Sequence, residues 1–362
     1  LGAGSLSVSA VESLLGDSAV QTVTLLASGL VAISAIDRIV GTADSDTVTF
    51  LGAGSLSVSA VESLLGNGAV QTVTLLTSGA VVISAIESVL GSSDQQTVSL
   101  LTSAAVAVSS IELVIGTTDS DTLTIVGSGS LRVTEIESLF GTAAVETVTL
   151  LSASVVAITA IDSVVGTTAS DTVTFLGSGA LSISAVESLL GTSDQQTVTL
   201  LNSGSVAISA IDTIVGTADS DTVTFLGAGS LSVSAVESLL GTSAVQTVTL
   251  LTSGAVVISA IESVLGSSDQ QTVSLLTSAA VAVSSIELVI GTTDSDTLTI
   301  VGSGSLRVTE IESLFGTAAV ETVTLLSASV VAITSIDTIV GTADSDTCLL
   351  YTSPSPRDRT RS

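Results

Sequence analysis

The segment from Thr72 to Gln96 reads TVTLLTSGAVVISAIESVLGSSDQQ. Thr72-Val73-Thr74-Leu75 alternates polar with apolar, the period of a strand that buries one face. After Leu76, Thr77-Ser78-Gly79 has the residues of a turn. Val81, Ile83 and Ile86 continue an apolar face, while Val82 and Ser84 point the other way. Val89 and Leu90 close the segment before Gly91, and Ser92 to Gln96 reads as a polar loop. Two or three short strands are predicted. A helix over Ser84 to Leu90 is the rival, since Ile83, Ile86, Val89 and Leu90 have a tolerable helical spacing. Richness in Ser and β-branched residues argues for strand.

The pattern repeats along the chain. Glycine recurs at one fixed spacing, as Gly16, Gly41, Gly66 and Gly91 through to Gly341, with no insertion or deletion. A carboxylate keeps the same clock, as Glu12, Asp37, Glu62 and Glu87 through to Asp337. So does a threonine, from Thr22 to Thr347. A longer period lies on top: the stretch from Thr47 to Gly166 recurs as Thr222 to Gly341 with few changes. One such segment cannot bury its apolar side alone, so neighbours must stack on it.

The expected fold is therefore all-β, a parallel β-solenoid of about 14 coils of 25 residues. In it, like stacks on like at ~4.8 Å, and the rod is on the order of 65–70 Å long. Val23, Val48 and Val73 would form one internal ladder. The recurrent Gly is expected to adopt a backbone conformation that a side chain would strain. Residues 1–347 are read as one uncapped solenoid domain from the interior of a longer chain, because Leu1 is not a start Met and no signal peptide is visible. Its open ends would favour end-to-end self-association or an amyloid-like fibre.

The clock stops at Thr347. Residues 348–362 hold the only Cys, the only Tyr, both prolines and half of the arginines. They are read as a non-native, disordered tail. Cys348-Leu349-Leu350-Tyr351-Thr352-Ser353-Pro354-Ser355-Pro356-Arg357-Asp358 resembles the conceptual translation of a transposase-type sequencing adaptor, all eleven residues matching. A native polar linker is the alternative.

Apolar residues make up 46% of the chain but aromatics only 2%, and Met, Trp, His and Lys are absent. Val, Leu, Ile, Ala, Ser and Thr suit closely spaced strands. High net charge here accompanies high hydrophobicity, which argues against disorder. A net charge of −28 with no basic cluster argues against nucleic acid and anionic lipid as partners, and favours cations. Apolar runs are too short and too often cut by Ser, Thr and Gly for a membrane-spanning helix.

An enzyme is not expected. There is no His or Lys, and coils of equal length leave no loop to build a groove. Paired carboxylates could in principle do acid–base work. They are Asp44 with Asp46, Asp119 with Asp121, Asp219 with Asp221, and Asp294 with Asp296, and their recurrence reads as turn chemistry. They are also the candidate metal ligands. Stacked at ~4.8 Å, the Glu12-to-Asp337 carboxylates would repel by about 1 kcal/mol per pair in water. Raised carboxyl pKa values, bound cations or fanned side chains would answer that repulsion. The third candidate is the Thr-x-Thr doublet. Thr22 and Thr24, Thr47 and Thr49, Thr72 and Thr74, and Thr147 and Thr149 would line an outward ladder face able to bind a surface ligand, ice or polysaccharide. Exposed Thr is also simply a good strand residue.

The segment Gly41-Thr42-Ala43-Asp44-Ser45-Asp46-Thr47-Val48 resembles in part the calcium-binding nonapeptide of repeats-in-toxin proteins. Gly41, Asp46 and Val48 match, while Thr42 and Asp44 stand where that family has glycine. The resemblance implies Ca2+ between facing turns. More broadly, Ile86-Glu87-Ser88-Val89-Leu90-Gly91 and Asp46-Thr47-Val48-Thr49 are similar to the repeat regions of large secreted bacterial surface and adhesin-type proteins, over Leu1 to Thr347. That resemblance implies secretion, an extracellular or cell-surface location, and a stalk, spacer or adhesive role.

Overall fold

A computed structural model describes residues 3–350, apart from 18, 93, 94, 143, 243, 268, 269, 318, 328, 329 and 344. Two compact units divide the chain, Leu1–Ser188 and Leu189–Ser362. Every regular element in the described residues is a strand. The first unit opens with β1 (Gly4–Val8), β2 (Ser13–Leu15), β3 (Gln21–Leu25), β4 (Leu30–Ser34), β5 (Arg38–Val40), β6 (Thr47–Phe50), β7 (Gly54–Ser59), β8 (Ser63–Leu65) and β9 (Gln71–Leu75). Each sequence repeat thus supplies three strands. Ser84–Leu90, the rival helix, is the end of one strand, a corner and the strand Ser88–Leu90.

Pairing is parallel and skips one strand. β1, β3, β5, β7 and β9 form one sheet, and β2, β4, β6 and β8 form the other. A parallel β-solenoid with two strands per turn results. Registers measure the turn: Leu6 lies beside Val23, Val23 beside Ile39, and Ile39 beside Val58. Three turns therefore carry the chain from Leu6 to Val58, whereas two sequence repeats carry it from Leu6 to Leu56, a neighbour on the same strand. The second unit keeps the same steps, from Val206 to Val223, Leu239 and Ile258.

One sequence repeat is therefore one and a half turns. This corrects the expected equation of repeat with coil, and the 14 coils with it. Among the described residues, 22 strands lie wholly within the first unit, from Gly4 to Ser184. At two per turn they make eleven turns. The 19 strands from Gln196 to Leu350 make between nine and ten in the second unit. The ladder of like residues is corrected too. Val23 lies in β3, but Val48 lies in β6 of the other sheet, between Val31 and Leu64. Equivalent residues alternate sides because three strands per repeat is an odd number dealt to two sheets.

The core lies between the sheets. In the Thr72–Gln96 repeat Val73, Leu75, Val81, Ile83, Ile86 and Val89 are buried, each burial contributing about 1.5–3 kcal/mol. Leu90 instead points outward. Gln96, read above as loop, begins the strand Gln96–Leu100 and is 1% exposed.

The recurrent glycine has a different cause from the one expected. A Cβ on Gly91 would lie 1.8 Å from the carbonyl oxygen of Ser110 on the next turn, and one on Gly66 1.8 Å from that of Ala85. The φ angles of Gly66 and Gly91 lie outside the left-handed region. Close approach of the next turn excludes a side chain there. The left-handed residue is the partner in that contact: Ala60, Ala85, Ser110 and Glu135 have φ of 50°, 52°, 53° and 55°. Each is an exposed corner whose carbonyl is pressed against the glycine one turn back.

At the far end, Thr347–Leu350 forms a strand paired with Val330–Thr334. Cys348, Leu349 and Leu350, which were read as tail, therefore continue the sheet, with their side chains exposed. The rest of the tail, 351–362, lies outside the described residues.

Candidate functional site

The chemistry-bearing side chains gather at the corners. In the loop before β6, Asp46 is fully buried. Its Oδ2 accepts the Thr42 N–H at 2.6 Å and the Thr42 hydroxyl at 2.9 Å, closing its own loop. Its Oδ1 accepts the N–H of Gly29 at 3.2 Å, one turn back. Its own N–H donates to Glu62 Oε2 at 2.8 Å, one turn on. One aspartate thereby ties three successive turns and satisfies main-chain groups that the corner leaves without strand partners.

Asp121, Asp221 and Asp296 repeat the arrangement, accepting from Thr117, Thr217 and Thr292 and from Ala104, Gly204 and Ala279. Asp171 does the same with Thr167 and Ser154. Sequence reasoning passed over it because Ala169 stands where the pair has its first Asp. In each predicted pair the two carboxylates part company. Asp44, Asp119, Asp219 and Asp294 are exposed on the loop, their N–H groups donating to the Thr hydroxyl. Both oxygens of the buried member are taken by N–H and O–H donors, which places it as a cap. Among the described residues, no group of three or more His, Cys, Asp or Glu could hold a metal ion.

The carboxylate of the repeat clock has an equally local task. Asp37, Glu62, Glu87, Glu112, Glu137 and Asp162 accept the N–H of the residue 16 positions earlier, as do their counterparts to Asp337, at 2.7–3.1 Å. Successive members fall on opposite sides of the solenoid. Members on one side recur after three turns, ~14 Å apart, where repulsion in water is only about 0.3 kcal/mol and salt screens it. The expected ladder of these carboxylates at single-turn spacing is absent; the acidic neighbour one turn away, where there is one, is the buried Asp or Glu whose N–H they accept, as Asp46 is for Glu62.

The residue that receives this N–H cap was missed as a class. Gln21, Asp46, Gln71, Gln96, Asp121, Glu146, Asp171, Gln196, Asp221, Gln246, Gln271, Asp296 and Glu321 are all buried. The signal was present in the sequence: this place on the clock is always Gln, Asp or Glu, side chains that share an acceptor oxygen. At the first corner Asp17 does the work of Thr42. Its Oδ1 accepts the Ala19 N–H and the Gln21 Nε2–H, both at 2.8 Å. The Ala19 N–H is the chief cause holding its carboxyl below the usual range.

The threonine doublets are half-buried on the outer faces, and the expected single ladder face is corrected: they do not form one array. Thr22 and Thr24 lie on β3, Thr72 and Thr74 on β9, but Thr47 and Thr49 on β6 of the other sheet. Thr24 is flanked by Ser7 and Val40. Thr72 and Thr74 are flanked by Ser55 and Ser57 on one side and by Ser88 and Leu90 on the other. Thr147 lies between Ser130 and Ser163, and Thr149 between Arg132 and Val165. The next doublet on the same sheet is three strands away, because the odd number of strands per repeat deals successive doublets to opposite sides.

Shallow grooves lie between some of the left-handed corners and the following turn. One, of about 70 Å3, is lined by Ala60, Glu62, Thr77 and Gly79. Its counterpart at Ala10, Glu12, Ser28 and Gly29 has about 190 Å3. Comparison with protein-family models, curated proteins and solved structures finds no match.

Proposed function

We propose that the chain is a repeat stalk of an extracellular or cell-surface bacterial protein, one that spaces or displays other parts of that protein. The observation that carries this reading is the three-turn tie at Asp46 and its equivalents. From Gln21 to Glu321 the buried corner residue also gives its N–H to the carboxylate of the next turn whichever of Gln, Asp or Glu it is, so repeats add without any special junction. Reach then grows by a fixed increment per repeat. The outer faces carry Ser, Thr and Ala, with Val and Leu on the short strands, and few charges. A surface built for spacing has these properties.

Small-angle scattering tests the reading on chains shortened by two sequence repeats at a time. Each step removes three turns and should reduce the maximum dimension by ~14 Å. A dimension that does not change in proportion to the repeats removed would overturn it.

A further inference from the structure

At two of the glutamine corners, Gln71 and Gln246, the amide serves two carbonyls of the turn before it, and at Gln96 and Gln271 it serves one. Gln71 Nε2 donates to the carbonyl oxygens of Phe50 and Gly52, both at 2.8 Å. Gln246 does the same with Phe225 at 2.7 Å and Gly227 at 2.8 Å.

Two repeats carry glutamate at this place, Glu146 and Glu321. The backbone frame does not change. Gly129 pairs with Glu146 as Gly54 does with Gln71, and the Glu146 N–H donates to Asp162 as that of Gln71 does to Glu87. Glu146 Oε1 accepts the Thr142 N–H at 2.9 Å and the Thr142 hydroxyl at 2.8 Å. Glu321 Oε1 holds Thr317 in the same way, both at 2.9 Å. With Oε1 committed to the threonine, Oε2 is the atom equivalent to the amide nitrogen of Gln71 and Gln246, and the equivalent carbonyls of the turn before are those of Ile125 and Gly127, or of Ile300 and Gly302. Oε2 is an acceptor where those glutamines place a donor. Both glutamates are 0% exposed, and neither Oε2 has a hydrogen-bond partner. A buried carboxylate oxygen with neither donor nor counter-charge is strongly disfavoured.

We propose that Glu146 and Glu321 each hold a hard metal cation, sodium or calcium, between Oε2 and the two carbonyl oxygens equivalent to those that Gln71 and Gln246 satisfy. A cation fits better than a proton. The amide brings two N–H groups, whereas a carboxyl proton serves one acceptor and leaves the other carbonyl unmet. A hard cation binds several oxygens at once, main-chain carbonyls included. The negative field of the chain, with Asp162 or Asp337 adjoining the site, draws cations to it.

The test uses the full chain, stripped with chelator and held in tetramethylammonium salt at fixed ionic strength. Calcium or sodium is then titrated against thermal unfolding and, for calcium, equilibrium dialysis. Sodium or calcium should raise the melting temperature saturably, and the effective ion identifies the ligand. If that ion is calcium, two bind tightly per chain. Glu146→Gln combined with Glu321→Gln restores the amide found in the sister repeats, so it should fold. It should abolish the tight sites and the melting response, and melt without added cation at least as high as the unaltered chain does. An equal response in the double variant would assign the effect to surface carboxylates and overturn the proposal. Absence of any cation response in the unaltered chain would overturn it as well, whether or not acid alone stabilises.

Discussion

Gly91 and Ser110 form a contact in which one residue must lack a side chain and the other must twist. Gly91→Ala forces a Cβ to within 1.8 Å of the Ser110 carbonyl oxygen, so one turn must move. We expect a loss of about 3 kcal/mol, read from the urea midpoint. Gly29→Ala meets nothing within 4 Å and should stay within about 0.5 kcal/mol. The corner responds in the opposite sense. Ala85 holds φ at 52°, so Ala85→Gly relieves strain of about 1–2 kcal/mol against an entropic cost of about 0.5–1 kcal/mol. A small net gain in melting temperature should follow. The sequence displayed the glycine clock plainly but not its cause, because nothing in a glycine tells close approach from a positive φ. The left-handed corner had no visible mark, since Ala, Ser and Glu occupy it where glycine would be the usual sign.

At the scale of the element, the corner cap is what holds turn to turn. Asp121→Ala removes acceptors for Thr117 and Ala104 and leaves two half-buried N–H groups without their partner. We expect a loss of about 3 kcal/mol, partly recovered by Asp121→Asn, both measured by denaturant titration. The strands themselves were legible from polar–apolar alternation, and Gln96 shows where that reading ended: a polar residue after a polar loop gives no hint of burial. The length of a turn was not legible either. A sequence period reports how often chemistry recurs, and it is blind to how many revolutions the chain makes meanwhile. Deletions separate the two. Removing one sequence repeat, Thr72 to Gln96, leaves every corner with its partner and should give a folded β protein by circular dichroism. Removing only Thr72 to Glu87, one geometric turn, sets Leu101 in place of the left-handed Ala85 against Gly66 and should fold poorly.

Across the whole molecule, charge is the term that the local hydrogen bonds do not cancel. The net charge is −28, and the carboxylates are spread through the corners of both units. Raising salt from about 10 mM to about 150 mM shortens the screening length from ~30 Å to ~8 Å. The melting temperature should rise over that range, even with tetramethylammonium as the only added cation. A response to sodium or calcium beyond that baseline belongs to the glutamate sites. The class of fold was readable at this scale because strict periodicity with strand alternation leaves few architectures open. The glutamate sites were not, since Glu146 differs from Gln71 by one atom type, whose meaning depends on the carbonyls of the turn before.

Winding by halves gives the gene a parity. Gaining one repeat advances everything beyond it by half a revolution as well as by its length. Gaining two restores the heading and changes reach alone. Single-repeat expansion could thus swap the flank on which a distal feature is shown, without altering a residue of that feature.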